Sequence, residues 1–150
     1  MHCLVFAILL SSMDAQSSIN KVLEDWHQAA AKADENAYFN AMTEDSIYLG
    51  TDATERWNKT AFRKFAHPYF AQGKAWTFAA SRRDVMLSAD GKLAWFDEDL
   101  KTQNLGPVRG SGVLRLEKDG WKIVHYNLSV TIPNEKFPAV KKLLDEETKK

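Results

Sequence analysis

A chain of 150 residues that is 45 % hydrophobic and 27 % charged has the size and make-up of one soluble globular domain with its own core. Twenty basic residues balance twenty acidic ones, which removes any broad electrostatic case for nucleic acid or an anionic membrane. A single cysteine, Cys3, excludes an intrachain disulfide framework.

The chain opens with an apolar run, Cys3 to Leu10, too brief to span a membrane. Small residues follow it to Ala15, a pattern that resembles a secretory leader cut around Ala15 and Gln16. Residues 1–16 are therefore expected to be a signal peptide, with an exported protein, periplasmic or extracellular, if that signal operates and a cytoplasmic one if not. Cleavage would remove the only thiol. From Ser18 the spacing of Ile19, Val22, Leu23, Trp26, Ala30 and Ala33 predicts a helix, with His27 beside the apolar stripe as a surface histidine. Asp34 can cap a second short helix carrying Tyr38, Phe39, Ala41 and Met42. Ser46 to Thr51 reads as a short strand and Asp52 to Trp57 as a loop. A third helix starts at Asn58 or Thr60 and ends at Gly73, with Pro68 expected to kink or divide it.

Trp76 to Pro133 reads as four long antiparallel strands, with Asp90-Gly91 and Asp119-Gly120 as two-residue hairpin turns. The first turn pairs Leu87 with Ala94, Val85 with Phe96, Arg83 with Glu98 and Ser81 with Leu100. Its other face, Met86, Trp95 and the charges Arg82, Asp84, Asp97 and Asp99, reads as solvated. The second turn, centred on Asp119 and Gly120, pairs Leu116 with Ile123, Leu114 with His125, Gly112 with Asn127 and Gly110 with Ser129. That register leaves Val113, Val124, Tyr126, Leu128 and Val130 as a second apolar face. After Pro133, residues 138–150 are expected to form a short amphipathic helix and a charged tail, with Phe137, Val140, Leu143 and Leu144 as the apolar positions.

An ion pair of Arg83 with Glu98 on a core-facing sheet surface can be a structural cross-strand pair, a ligand contact or catalytic machinery. His125 can act as acid or base near neutral pH or simply bond to a neighbouring strand. Asn127 and Ser129 can orient a ligand carbonyl or satisfy backbone groups, and Tyr48, Trp57, Tyr69 and Trp76 can wall a pocket mouth or pack in the core. Two glycines among strand positions leave space beside these polar groups. Histidines at 2, 27, 67 and 125 have no metal-ligand spacing, and neither a dinucleotide nor a phosphate-loop motif is present, so no metal or cofactor is expected. Ser111 lies outside a nucleophile-elbow context.

Helix, helix, short strand, helix and four long strands is an α+β order with helices on one side of a curved, mostly antiparallel sheet. The layout, with LGTDATERW at 49–57, HPYF at 67–70, GKLAWFDE at 91–98, RGSGVL at 109–114 and GWKIVHYNLSVTIPNE at 120–135, resembles the SnoaL-like family of the nuclear transport factor 2 (NTF2-like) superfamily. The resemblance implies a domain over 17–137 in which three helices close a cone-shaped sheet around a cavity. A small-molecule ligand there would have Arg83, Asn127, Ser129, Tyr48, Trp57 and Tyr69 as candidate contacts. The resemblance also implies a homodimer through Val113, Val124, Tyr126 and Leu128. The superfamily holds isomerases, cyclases and dehydratases as well as binding and transport proteins. The readings open are therefore a binding domain, a cofactor-free enzyme using Glu98 or His125 as acid or base, and an interaction module with a vestigial cavity.

Overall fold

The computed structural model describes the backbone of residues 2–147 and the side chains of residues 13–146. The apolar run at the start, Cys3 included, and the last residues of the charged tail lie outside the described side chains. Helix α1, His2–Ala31, continues without a break through Ala15 and Gln16. Its inward face of Ile19, Leu23, Trp26 and Ala30 is buried on the sheet. Among the described residues no helix is long and apolar enough to cross a membrane.

Asp34 caps α2 (Glu35–Asn40), accepting from the Ala37 N–H at 2.9 Å. Strand β1, Met42–Leu49, starts four residues earlier than expected. It is followed by a short strand, β2 (Arg56–Asn58), where a loop was expected. Asn58 then caps α3 (Lys59–Ala71) through the Ala61 N–H. Pro68 neither divides α3 nor ends it. The carbonyl that Pro68 leaves without a helical donor belongs to Lys64, an exposed residue, so the missing bond falls on the solvent side of the helix. Gly73 ends the segment with a φ of 74°, a conformation costly for any residue with a Cβ.

The sheet is completed by β3 (Phe78–Leu87), β4 (Leu93–Thr102), β5 (Val108–Glu117) and β6 (Gly120–Val130), in the order β2-β1-β6-β5-β4-β3. Only β1 and β6 run parallel. The helices cover one face, and their apolar side chains share a core with Ala94, Phe96, Leu100, Leu114, Ile123, Tyr126 and Leu128. A single helical turn, Asn134–Lys136, and α3's successor α4 (Phe137–Glu147) end the described chain.

The first hairpin has the expected register from Leu87 with Ala94 to Arg83 with Glu98, and a bulge at Ser81 then brings Ala80, not Ser81, opposite Leu100. The second does not. Its turn is centred on Lys118 and Asp119, so Glu117 faces Gly120, whose φ of 116° takes the strained position. An extra residue at Val124 then interrupts the ladder, and beyond it Val113 faces His125, Gly112 faces Tyr126 and Gly110 faces Leu128. Trp121 and Ile123 keep their inward face, and the extra residue exchanges the two faces of β6 from His125 onward. Tyr126 and Leu128, expected on a dimer surface, are buried in the core. His125, Asn127 and Ser129, expected at the cavity, share the outer face with Val113, Ser111 and Arg109.

Candidate functional site

A cavity of about 420 Å³ opens at the end of the cone where β1, β4 and β6 finish and β3 begins. Tyr48, at the end of β1, forms part of its wall and stacks on Phe62 of α3 with ring centroids 3.9 Å apart. Trp57 of β2 stacks on Phe65 at 4.6 Å, and Trp76 lies 6.0 Å from Phe62. Tyr69, Phe78 and Leu128 complete the apolar lining. Thr51, Glu55, Lys74, Thr77, Thr102, Gln103 and Asn104 supply polar groups around it. Aromatic faces ringed by polar groups suit a flat, largely apolar molecule. Burial, reinforced by the charge of Glu55, pushes the Tyr48 phenol up, so its hydroxyl stays protonated across the physiological range.

Behind this wall lies a polar cluster that the sequence only half reveals. Glu98 has no exposed surface. Its Oε1 accepts from the Tyr126 hydroxyl at 2.9 Å and lies 2.8 Å from His27 Nε2. Its Oε2 accepts from Arg83 Nε at 2.8 Å, while Arg83 Nη2 stands 2.7 Å from the same oxygen. Arg83 Nη1 donates to the Asn20 carbonyl at 3.3 Å and so ties the sheet to α1. Burial raises the Glu98 carboxyl. The hydrogen bond and charge of His27 and the Arg83 guanidinium outweigh it and hold the group below its ordinary 4.5. Burial and the Glu98 charge push the Tyr126 phenol well up, so it remains a donor.

The cluster fits because Gly110 lies opposite Glu98. A Cβ there would meet the Tyr126 hydroxyl and come within 2.8 Å of Glu98 Oε1. The space left by the glycine is thus filled by Tyr126 and closed to a ligand. Glu98, Arg83 and His27 are not part of the cavity lining, and the Phe78 ring, which is, lies 6.2 Å from the His27 imidazole.

Of the residues expected at a site, Tyr48, Trp57, Tyr69 and Trp76 gather around the cavity. Arg83 and Glu98 pair as expected but are bound to each other and to α1. His125, Asn127 and Ser129 stand away from both, and Asn127 bonds to Ser129 at 3.1 Å. His27, expected on the helix surface, is instead 2 % exposed and completes the Glu98 cluster. A signal for it was present, since Leu23, His27 and Ala30 follow the i, i+4, i+7 spacing of a buried stripe. The loop Gln103–Leu105 had no such signal. Among the described residues no three His, Cys, Asp or Glu side chains gather as a metal-binding set.

Solved structures share this architecture. An NTF2-like protein of unknown function from Pseudomonas putida KT2440 is 17 % identical and superposes with a TM-score of 0.67 over 83 % of this chain and 92 % of its own. A proposed aromatic ring hydroxylase from Novosphingobium aromaticivorans is 17 % identical, with a TM-score of 0.70 over 81 % and 92 %. A proposed dehydratase of the NTF2-like family from Streptomyces avermitilis is 12 % identical, with a TM-score of 0.67 over 80 % and 98 %. At these identities the likeness carries the fold and no activity. A comparison with curated proteins finds no match. The SnoaL-like domain family matches residues 19–133, which span the second half of α1, α2, α3, the whole sheet and every cavity-lining residue. With its curved sheet and three closing helices, the chain belongs to the SnoaL-like family and shares the fold of these NTF2-like structures.

Proposed function

We propose that this domain binds a flat, largely apolar small molecule in the aromatic cavity and does not turn it over. The observation that carries the reading is the separation of two things that an enzyme would combine. The cavity has room and aromatic walls, while Glu98, His27 and Arg83 sit outside its lining, with both Glu98 oxygens already bonded. An ionised Glu98, held below its ordinary value and charge-matched by Arg83, has no free oxygen to accept a substrate proton. Arg83 is likewise committed to Glu98 and is not the ligand's anchor. Recognition falls to Tyr48, Trp57, Tyr69 and Trp76, with Lys74, Gln103 and Asn104 as polar contacts.

A thermal-shift screen of the full chain against small aromatics, ketones and carboxylates tests this reading. A ligand at a hundred times its dissociation constant adds about 2.7 kcal/mol of stability. Hits are expected to lose their shift in Trp76→Ala and to keep it in Trp95→Ala, on the outer face. Hits that ignore Trp76→Ala, or that disappear over time as new products form, overturn it.

A second reading concerns the outer face of the sheet. Met86, Trp95, Val113, His125 and Ile47 form one row across five strands, with Trp95 45 % exposed. This row, with Val113 and without Tyr126 or Leu128, supports pairing with a second copy of the chain. Sedimentation at micromolar concentration should show a dimer that Trp95→Arg dissociates; a wild-type monomer removes the reading.

A further inference from the structure

Two apolar surfaces stand open at the same end of the molecule. One is the rim of the cavity, where Phe65, Tyr69 and Leu105 are 41 %, 46 % and 38 % exposed. The other is the stripe of α4, where Phe137, Leu143 and Leu144 are 56 %, 64 % and 59 % exposed. Phe137, Val140 and Leu144 follow the i, i+3, i+7 spacing of one helix face, Lys142 and Glu146 fall on the opposite side, and Lys141 and Asp145 flank the stripe.

Topology brings the two together. Strand β6 runs parallel to β1, so it ends at the cone's mouth, where β1 leads into the cavity residues Gly50 and Thr51. Thr131, just past β6, donates to the Pro107 carbonyl through its N–H and its hydroxyl, each at 3.0 Å. Pro107 lies two residues from Leu105 on the rim. Residues 132–136 alone separate this anchor from α4, an eleven-residue helix about 16 Å long.

We propose that α4 is a lid for the aromatic cavity, turning on residues 132–136 to lay Phe137, Val140 and Leu144 over the rim. Closure removes both exposed surfaces from water and leaves the charged face of α4 solvated. The structure holds the open form, and a bound molecule that adds its own apolar surface under the helix shifts the balance towards closure. The lid deepens the binding reading, but its test needs no ligand.

The test uses the full chain with its only cysteine removed, Cys3→Ser, and two added cysteine pairs. Tyr69→Cys with Leu144→Cys spans the mouth, and Met86→Cys with Leu144→Cys spans to the outer face. Mild oxidation is expected to give an intramolecular disulfide in the first pair alone. A disulfide in the outer-face pair, a chain-to-chain disulfide, or none at all overturns the lid. A second measurement follows release of 1-anilinonaphthalene-8-sulfonate by stopped flow. Phe137→Ser with Leu144→Ser should speed release about tenfold, which corresponds to ~1.4 kcal/mol of lost closure. Bound dye with unchanged release overturns the lid and leaves the binding reading standing. A mouth disulfide with no dye or small molecule bound overturns the binding reading and leaves the lid standing.

Discussion

His27 Nε2 on α1 lies 2.8 Å from Glu98 Oε1 on β4, joining the first long helix to the middle of the sheet through a fully buried contact. The Arg83 guanidinium on the other carboxylate oxygen makes Glu98 the centre of a closed charge cluster. Glu98→Gln leaves Arg83 buried without its counter-charge and should cost about 3–5 kcal/mol of unfolding free energy. Replacing both partners with apolar residues, Arg83→Met with Glu98→Leu, should cost less than Glu98→Gln alone, because no lone charge remains. Urea denaturation of the wild type, the single variant and the double variant reads both. A loss below about 1 kcal/mol for Glu98→Gln, the range of exposed pairs, would show that the cluster is not closed.

The same geometry sets a pH dependence. The folded pKa of Glu98 lies below 4.5, so the unfolded chain takes up this proton first as pH falls. Its contribution is therefore complete above pH 4.5 and is lost as pH drops through the folded value. Asp45, held at about 2 chiefly by its bond with Arg115, contributes in the same direction, but it is present in every variant. Subtracting the Glu98→Gln profile from the wild-type profile isolates Glu98. The difference should be flat well above the ordinary carboxylate value of 4.5 and shrink as pH falls below it. A difference that grows on acidification contradicts an ionised Glu98.

Gly110 supplies a test by added volume. A methyl group there meets the Tyr126 hydroxyl and Glu98 Oε1, both pinned by hydrogen bonds at the centre of the domain. Gly110→Ala should cost about 1–3 kcal/mol, the range of overpacked cores. Gly110→Ala combined with Tyr126→Phe, which removes the clashing hydroxyl, should recover part of it. Thermal denaturation of the three variants checks this, and an unchanged melting temperature for Gly110→Ala would mean that the space beside Glu98 is real and open.

Much of the fold was legible because it rests on local rules. Asp34 and Asn58 cap their helices, and the register of the first hairpin carries Arg83 to Glu98 as the turn at Asp90-Gly91 predicts. The second hairpin was not legible, for two reasons that alternation alone does not encode. The turn moved to Lys118 and Asp119 because Gly120, not Gly120's neighbour, takes the positive φ, and Val124 added a residue to one strand. Both faces of β5 and β6 are rich in apolar residues, so hydrophobic pattern gave no penalty for the wrong choice. The aromatic cavity wall was visible in Tyr48, Trp57, Tyr69 and Trp76, whereas the spacing signal at His27 was outweighed by the rule that a polar residue on a helix faces water. That rule fails where a buried carboxylate waits on another element.

The exchange of faces on β6 leads to a comparison of matched substitutions. Leu128→Ala and His125→Ala remove side chains that the expected register and the structure assign to opposite sides. Leu128 is buried and part of the cavity lining, so its truncation should cost about 2–5 kcal/mol and also weaken any cavity-bound ligand. His125 faces outward in the row with Trp95 and Val113, so its truncation should leave stability within about 0.5 kcal/mol. Ligands that bind in the cavity should not sense it. Chemical denaturation and thermal shift on the two variants decide the matter. If His125→Ala abolishes ligand shifts while Leu128→Ala spares them, β6 has the register that its alternation first suggested, and the bulge at Val124 is absent in solution.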